Sequence, residues 1–167
     1  MAVIVGAILV ALVVKTVFVQ AFRIPSESMD PTLIKGDRVL VNKLSYKLHD
    51  VNRGDVVVFD RPDNLPGGPD DPQDLIKRVI GLPGDTLYAR DGVVYVNDRP
   101  LQEPYLPKGT STVNMDQPVT VPKGYVWVMG DNRGNSQDSR VFGPIAEDSI
   151  VGRAFMLMWP LNRIGSL

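Results

Sequence analysis

The chain has 167 residues, the size of one domain with at most a terminal appendage. Its 18 Lys and Arg against 19 Asp and Glu leave a formal net charge of −1, which offers no field for a polyphosphate, so nucleic acid is not expected as a partner. Zero cysteines exclude disulfides, cysteine nucleophiles and Cys-ligated zinc; one histidine, His49, argues against a His-rich metal site and leaves a single candidate for a Ser-His-Asp triad.

Residues 1–14 carry no charged side chain, and only Lys15, Thr16 and Gln20 interrupt the apolar run as far as Phe22. A helix of this length spans roughly 33 Å, about one bilayer core. Lys15 near its end can carry its ammonium to the interface along its own stem. A buried core helix would need a polar face, which the first fourteen residues lack. A cleavable leader has small residues in Val19-Gln20-Ala21 for it, but lacks a basic start and is interrupted by Lys15. The expectation is a transmembrane anchor over residues 1–21, with lipid bilayer as a partner.

From Phe22 onward, short β-branched runs alternate with Gly, Pro, Asp and Asn. Strands are expected at Arg38–Asn42, Asp55–Phe59, Leu75–Ile80, Asp85–Ala89, Val93–Asn97, Tyr125–Met129 and Ile150–Met158. Arg90-Asp91-Gly92 reads as a tight hairpin turn. Arg61–Asp74 and Pro100–Pro118 read as excursions rich in turn residues. No long 3.6-residue period follows residue 22. The fold expected of residues 22–167 is mainly β, an antiparallel sheet or barrel-like domain, behind one N-terminal transmembrane helix.

Three segments can carry chemistry. In Pro25-Ser26-Glu27-Ser28-Met29-Asp30-Pro31, two serines one residue apart sit between prolines, either as a nucleophile beside a second hydroxyl donor or as a stiff linker turn. In Leu75-Ile76-Lys77-Arg78-Val79, the period of two puts Lys77 between Leu75 and Val79 on one strand face. Burial there would lower its pKa and make it a general base for a serine; an edge position would let it snorkel to water. The loop from Gly130 to Arg140 is dense in polar residues. Arg133 and Ser136 spoil the spacing of an EF-hand, so a hydrogen-bonded network is expected there and no metal. His49, among charged neighbours before a turn, reads as exposed.

Taken in order behind an apolar anchor, these segments, with Gly54–Phe59 and Lys77–Asp85, resemble the type I signal peptidase family of bacteria over nearly the whole chain. The resemblance implies a membrane-bound serine endopeptidase that removes N-terminal signal peptides from exported preproteins, with Ser28 as nucleophile and Lys77 as general base. It implies an oxyanion hole from the Ser28 N–H and the Ser26 hydroxyl. Ser136 would hydrogen-bond and orient the lysine, with Asp138 and Arg140 as a supporting ion pair and Arg78 as the arginine after the base. Phe22, Ile24, Val39 and Ile76 would line an S3 pocket, and Ile24, Met29, Leu33 and Leu75 an S1 pocket, both shallow, apolar and suited to Ala-X-Ala ends. Glu27 stands where many members have glycine and adds a charge beside the nucleophile. The short run between Gly81 and Gly130 implies a small inserted subdomain around residues 86–122, as in Gram-positive and actinobacterial members. No cofactor is implied; signal peptides are the partners, the chain is expected to be a monomer, and the catalytic domain lies on the extracytoplasmic face of the bacterial cytoplasmic membrane.

Two other readings share some of these features. A self-cleaving SOS-type repressor uses the same dyad but carries a DNA-binding domain in place of the apolar helix. An inactive membrane-tethered β module that binds peptides or secretion partners would not need Ser28, Lys77 and Ser136 together. The C-terminal run Phe155–Leu161, apolar and bearing Trp159, is either a core strand or a second lipid contact.

Overall fold

The computed structural model describes residues 18–68 and 71–167. Twelve strands form two antiparallel sheets. The larger sheet contains β1 (Val19–Arg23), β2 (Arg38–Asn42), β3 (Val56–Asp60), β4 (Asp74–Gly81), β9 (Tyr125–Met129), β10 (Ile145–Ala146), β11 (Ile150–Trp159) and β12 (Gly165–Ser166). Its order is β1-β2-β11-β3-β4-β9-β10, with β12 paired to β11. Among the described residues no pairing joins β1 to β10, so the ladder stays open and is not a closed barrel. The smaller sheet has the order β7-β6-β5-β8, from β5 (Thr86–Arg90), β6 (Val93–Val96), β7 (Arg99–Pro100) and β8 (Val119–Thr120). Asp91 and Gly92 join β5 to β6 with φ of 52° and 83°, the left-handed pair that a two-residue hairpin requires.

The central strands are buried on both faces, which is why Val56-Val57-Val58-Phe59 shows no polar alternation. Val56 and Val58 pack with Ile24, Met29, Leu33, Val39, Val41, Ile76, Ala154 and Leu157. Val57 and Phe59 point the other way, to Leu65, Val79, Val126, Val128, Phe142 and Ile145. A third cluster of Ile80, Leu87, Val94, Val96, Val121, Trp127 and Met129 joins the two sheets. Among the described residues two short helices, α1 (Ser45–Leu48) and α2 (Ser139–Phe142), cap connections; the Asp138 carboxylate opens α2 by accepting from the Arg140 N–H.

The N-terminal expectation needs correcting where the structure reaches it. Val19–Arg23, whose first three residues were expected to end an anchor, is an edge strand in register with Arg38–Asn42. The Phe18 carbonyl accepts from the Lys43 N–H, so the pairing begins as soon as the chain reaches the sheet. An anchor cannot run to residue 21; its remainder, residues 1–17, lies outside the described residues. Among the described residues no helix is long and apolar enough to cross a membrane.

Candidate active site

The Ser28 turn is fixed by its own backbone and by the polar loop. The Asp30 N–H donates to the Glu27 carbonyl at 3.0 Å and the Leu33 N–H to the Met29 carbonyl at 2.9 Å, which folds residues 27–33 into tight turns. Asn132 donates twice from the polar loop, its N–H to the Ser28 carbonyl and its side-chain amide to the Glu27 carbonyl, each at 3.1 Å. A methyl group at Gly130 would collide with the Ser28 carbonyl and the Ser136 hydroxyl, so only glycine lets the loop pass this close behind the serine.

Lys77 comes from β4, on the face shared with Leu75 and Val79. It is 3% exposed. Its ammonium donates to Ser28 Oγ at 2.8 Å and to the Ile76 carbonyl at 3.0 Å. Burial pulls its pKa down to about 8, against the opposing pull of Asp138 and Asp131. The Ser26 and Ser28 hydroxyls lie 3.3 Å apart.

Two ion pairs hold the surroundings. Arg78, one residue past the lysine, points to the other face and grips Asp131 with Nε at 2.9 Å and Nη2 at 2.7 Å. Thr32 donates to the same carboxylate at 2.5 Å, which joins the nucleophile turn to the lysine strand. Arg140 grips Asp138 in the same two-pronged way, at 2.8 and 2.7 Å, and Asp138 also accepts from the Gly130 N–H. Both loop carboxylates are thus paired with arginines. Arg133 is buried, bonded to Glu103 and Thr112 from the region of the smaller sheet. His49 is exposed and its Nδ1 pairs with the neighbouring Asp50 carbonyl.

A cleft of about 600 Å³ opens over Ser28 and Lys77, walled by Ser26, Glu27, Lys35, Leu75, Asn135 and Gln137 and by the excursion bearing Arg61, Leu65 and Asp71. A small, mainly apolar hollow beside it is lined by Phe22, Ile24, Pro25, Val58, Leu75 and Ile76, with Arg23 and Asp74 also on its wall. Met29, Leu33 and Val39, expected on pocket walls, have no exposed surface and lie beneath the walls as core. The expected bond from Ser136 to Lys77 is not made. Among the described residues Ser136 Oγ is buried without a partner, and the Ile76 carbonyl holds the ammonium instead. Sequence reading gave no separate role to Thr32, Asp131 or Asn132; the last two lie in the polar loop expected to form a hydrogen-bonded network.

Comparison with known proteins decides the family: residues 1–159 match the signal peptidases of peptidase family S26. The chain belongs to this family. It is 43% identical over 162 residues to a probable signal peptidase I-1 of Synechocystis sp., across 96% of this chain and 82% of that one. It is 38% identical to signal peptidase I T of Bacillus subtilis, across 96% and 84% of the two chains. A solved structure of a signal peptidase I from Enterococcus faecalis superposes with a TM-score of 0.50 at 33% identity, covering 63% of this chain and 97% of that one. As a signal peptidase, the chain carries its two hydroxyls and its buried lysine on the two segments that the sequence singled out.

Proposed function

We propose that this signal peptidase cleaves signal peptides from exported preproteins after Ala-X-Ala ends, with Ser28 as nucleophile and Lys77 as its base. The observation that carries this is the 2.8 Å contact between Lys77 Nζ and Ser28 Oγ, at a lysine whose pKa is depressed to about 8. A neutral lysine at that distance accepts the serine proton as Oγ attacks the scissile carbonyl. The Ser28 N–H and the Ser26 hydroxyl stabilise the oxyanion, each donor contributing about 3 kcal/mol in comparable sites. Lys77 then hands its proton to the leaving amine. In the second half-reaction it activates the water that releases the acyl group.

The open edge of β4 supports extended binding of substrate. Among the described residues, Asp74 to Lys77 pair with β3 on one side only, because pairing with β9 begins at Arg78. A preprotein segment added along that edge gains main-chain hydrogen bonds, and the hollow at Phe22, Ile24, Leu75 and Ile76 takes a small apolar side chain. Preceding residues 1–17 form the membrane anchor in this reading, and the chain acts as a monomer on the extracytoplasmic face. Exposed Trp159, Leu161 and Ile164 near the C-terminus supply a second apolar surface for the lipid interface.

Covalent labelling tests the assignment. A serine-reactive acylating probe should give an adduct at Ser28 in the wild-type chain and none in Lys77→Ala. Labelling elsewhere, or equal labelling of both proteins, would refute the dyad.

A further inference from the structure

The chain beyond β11 returns to the nucleophile turn. After Trp159 it makes one 3₁₀ turn, Leu161–Arg163, then pairs Gly165–Ser166 back onto β11. The side chain of Arg163 crosses to the segment that follows Ser28. Its Nη1 donates to Asp37 Oδ2 at 2.6 Å, and its Nη2 donates to the carbonyls of Pro31 and Thr32 at 3.1 and 3.2 Å.

Asp37 requires such a partner. Its side chain has no exposed surface, and among the described residues Arg163 is the cation that pairs with it. The same carboxylate accepts the Ile34 N–H at 2.9 Å, and the Asp37 carbonyl accepts the Ile24 N–H at 2.9 Å. An unpaired buried carboxylate would be costly, so loss of Arg163 must rearrange this segment or let water reach it. Thr32 is where two networks meet. Its hydroxyl is tied to Asp131 and so to Arg78, next to Lys77, while its carbonyl is tied to Arg163. The base strand and the C-terminal turn thus grip the same residue, four positions after Ser28.

We propose that Arg163 is a positioning residue for Ser28, which makes the C-terminal turn a working part of the active site. The inference rests on the Ser28–Lys77 reading above. Guanidinium geometry matters here because one planar fork reaches a carboxylate and two carbonyls; an ammonium can pair with Asp37 but not span all three. Small displacements of a nucleophile are expensive in rate, so the loss should appear in turnover and not in substrate affinity.

The test is steady-state cleavage of a signal-peptide substrate by the full chain, with unfolding midpoints measured alongside. Arg163→Ala should lower kcat by about tenfold or more with KM within about twofold, and Arg163→Lys should recover only part of the loss. Added methylguanidinium should restore turnover to Arg163→Ala. Arg153→Ala, which removes from β11 the guanidinium 3.0 Å from buried Asp55, is the comparison: it should lose stability and keep kcat. Should Arg163→Ala not fold, Arg163→Lys carries the test. Arg163 variants that fold with unchanged kcat, or whose loss lies in KM alone, would overturn the proposal. A wild-type chain that does not cleave, or a Ser28→Ala chain that does, would refute the dyad reading instead.

Discussion

Lys77 Nζ sits 2.8 Å from Ser28 Oγ in a site where the lysine is almost wholly removed from water. The two come from segments 49 residues apart, brought together because β4 crosses behind the turn that follows β1. Hydrogen bonding and desolvation act on the same nitrogen: one aims it at the hydroxyl, and the other makes it basic in the range where an enzyme works.

The pH dependence follows from the lowered pKa. With Lys77 near 8 in the folded chain, roughly a tenth is neutral at pH 7, so the rate should rise about tenfold from pH 7 to a plateau above pH 9. His49→Ala should leave the curve in place, since that side chain is exposed and bonded to Asp50. A curve governed by a group near pH 6.5 and abolished in His49→Ala would point to a histidine mechanism.

The same shift burdens the fold. Below pH 8 the lysine is charged in both folded and unfolded chains, and the folded state bears the desolvation cost in full. The cost fades as pH rises from about 8 towards the ordinary lysine value of 10.5, because the folded chain releases its proton first. Lys77→Met should therefore be inactive yet more stable than wild type at pH 7, by up to about 3 kcal/mol, with the gain shrinking as pH rises from about 8 towards 10.5. Denaturant unfolding at pH 7 and pH 10 checks both the sign and the trend.

Asp131 is a buried carboxylate held with its counterion. Its carboxylate takes both prongs of Arg78 and the Thr32 hydroxyl, and neither Arg78 nor Asp131 is open to water. Asp131→Ala would leave the guanidinium buried and unpaired, at a cost of about 3–5 kcal/mol, and would release the nucleophile turn as well. Chemical denaturation should show that loss, with activity falling further than the fraction unfolded accounts for.

Lipid contact is a separate prediction. Trp159, Leu161 and Ile164 are 49%, 67% and 53% exposed, so the C-terminal run is not simply a core strand. A chain shortened to begin at Phe18, which keeps all of β1, should still float with liposomes, and Trp159→Ser should weaken that association. Absence of flotation in both proteins would leave residues 1–17 as the membrane contact and discard the second one.

The strands were legible where β-branched runs are bounded by Gly, Asp or Asn, as at Arg38–Asn42 and Tyr125–Met129, whose bounds the structure reproduces. β1 was hidden because its Val, Ala and Phe continue an apolar run, and nothing local separates a helix end from an edge strand joined to it. Two-residue strands such as β8 and β10 have no pattern of their own. Ser28, Ser26 and Lys77 stood out because hydroxyls between prolines and a lysine among β-branched residues are locally odd. Arg78 with Asp131, 53 residues apart, left no such mark. Pocket and core both ask for apolar side chains, so Met29, Leu33 and Val39 could not be told from wall residues by type alone.

The measurement that bears most directly on the dyad is cleavage of a preprotein bearing an Ala-X-Ala signal peptide by wild type, Ser28→Ala, Lys77→Ala and Lys77→Arg. The expected result is product from wild type with a single cut after the second alanine, and rates at least ~1,000-fold lower in all three variants, each still folded. Turnover near the wild-type rate in a folded Ser28→Ala or Lys77→Ala chain would contradict the account.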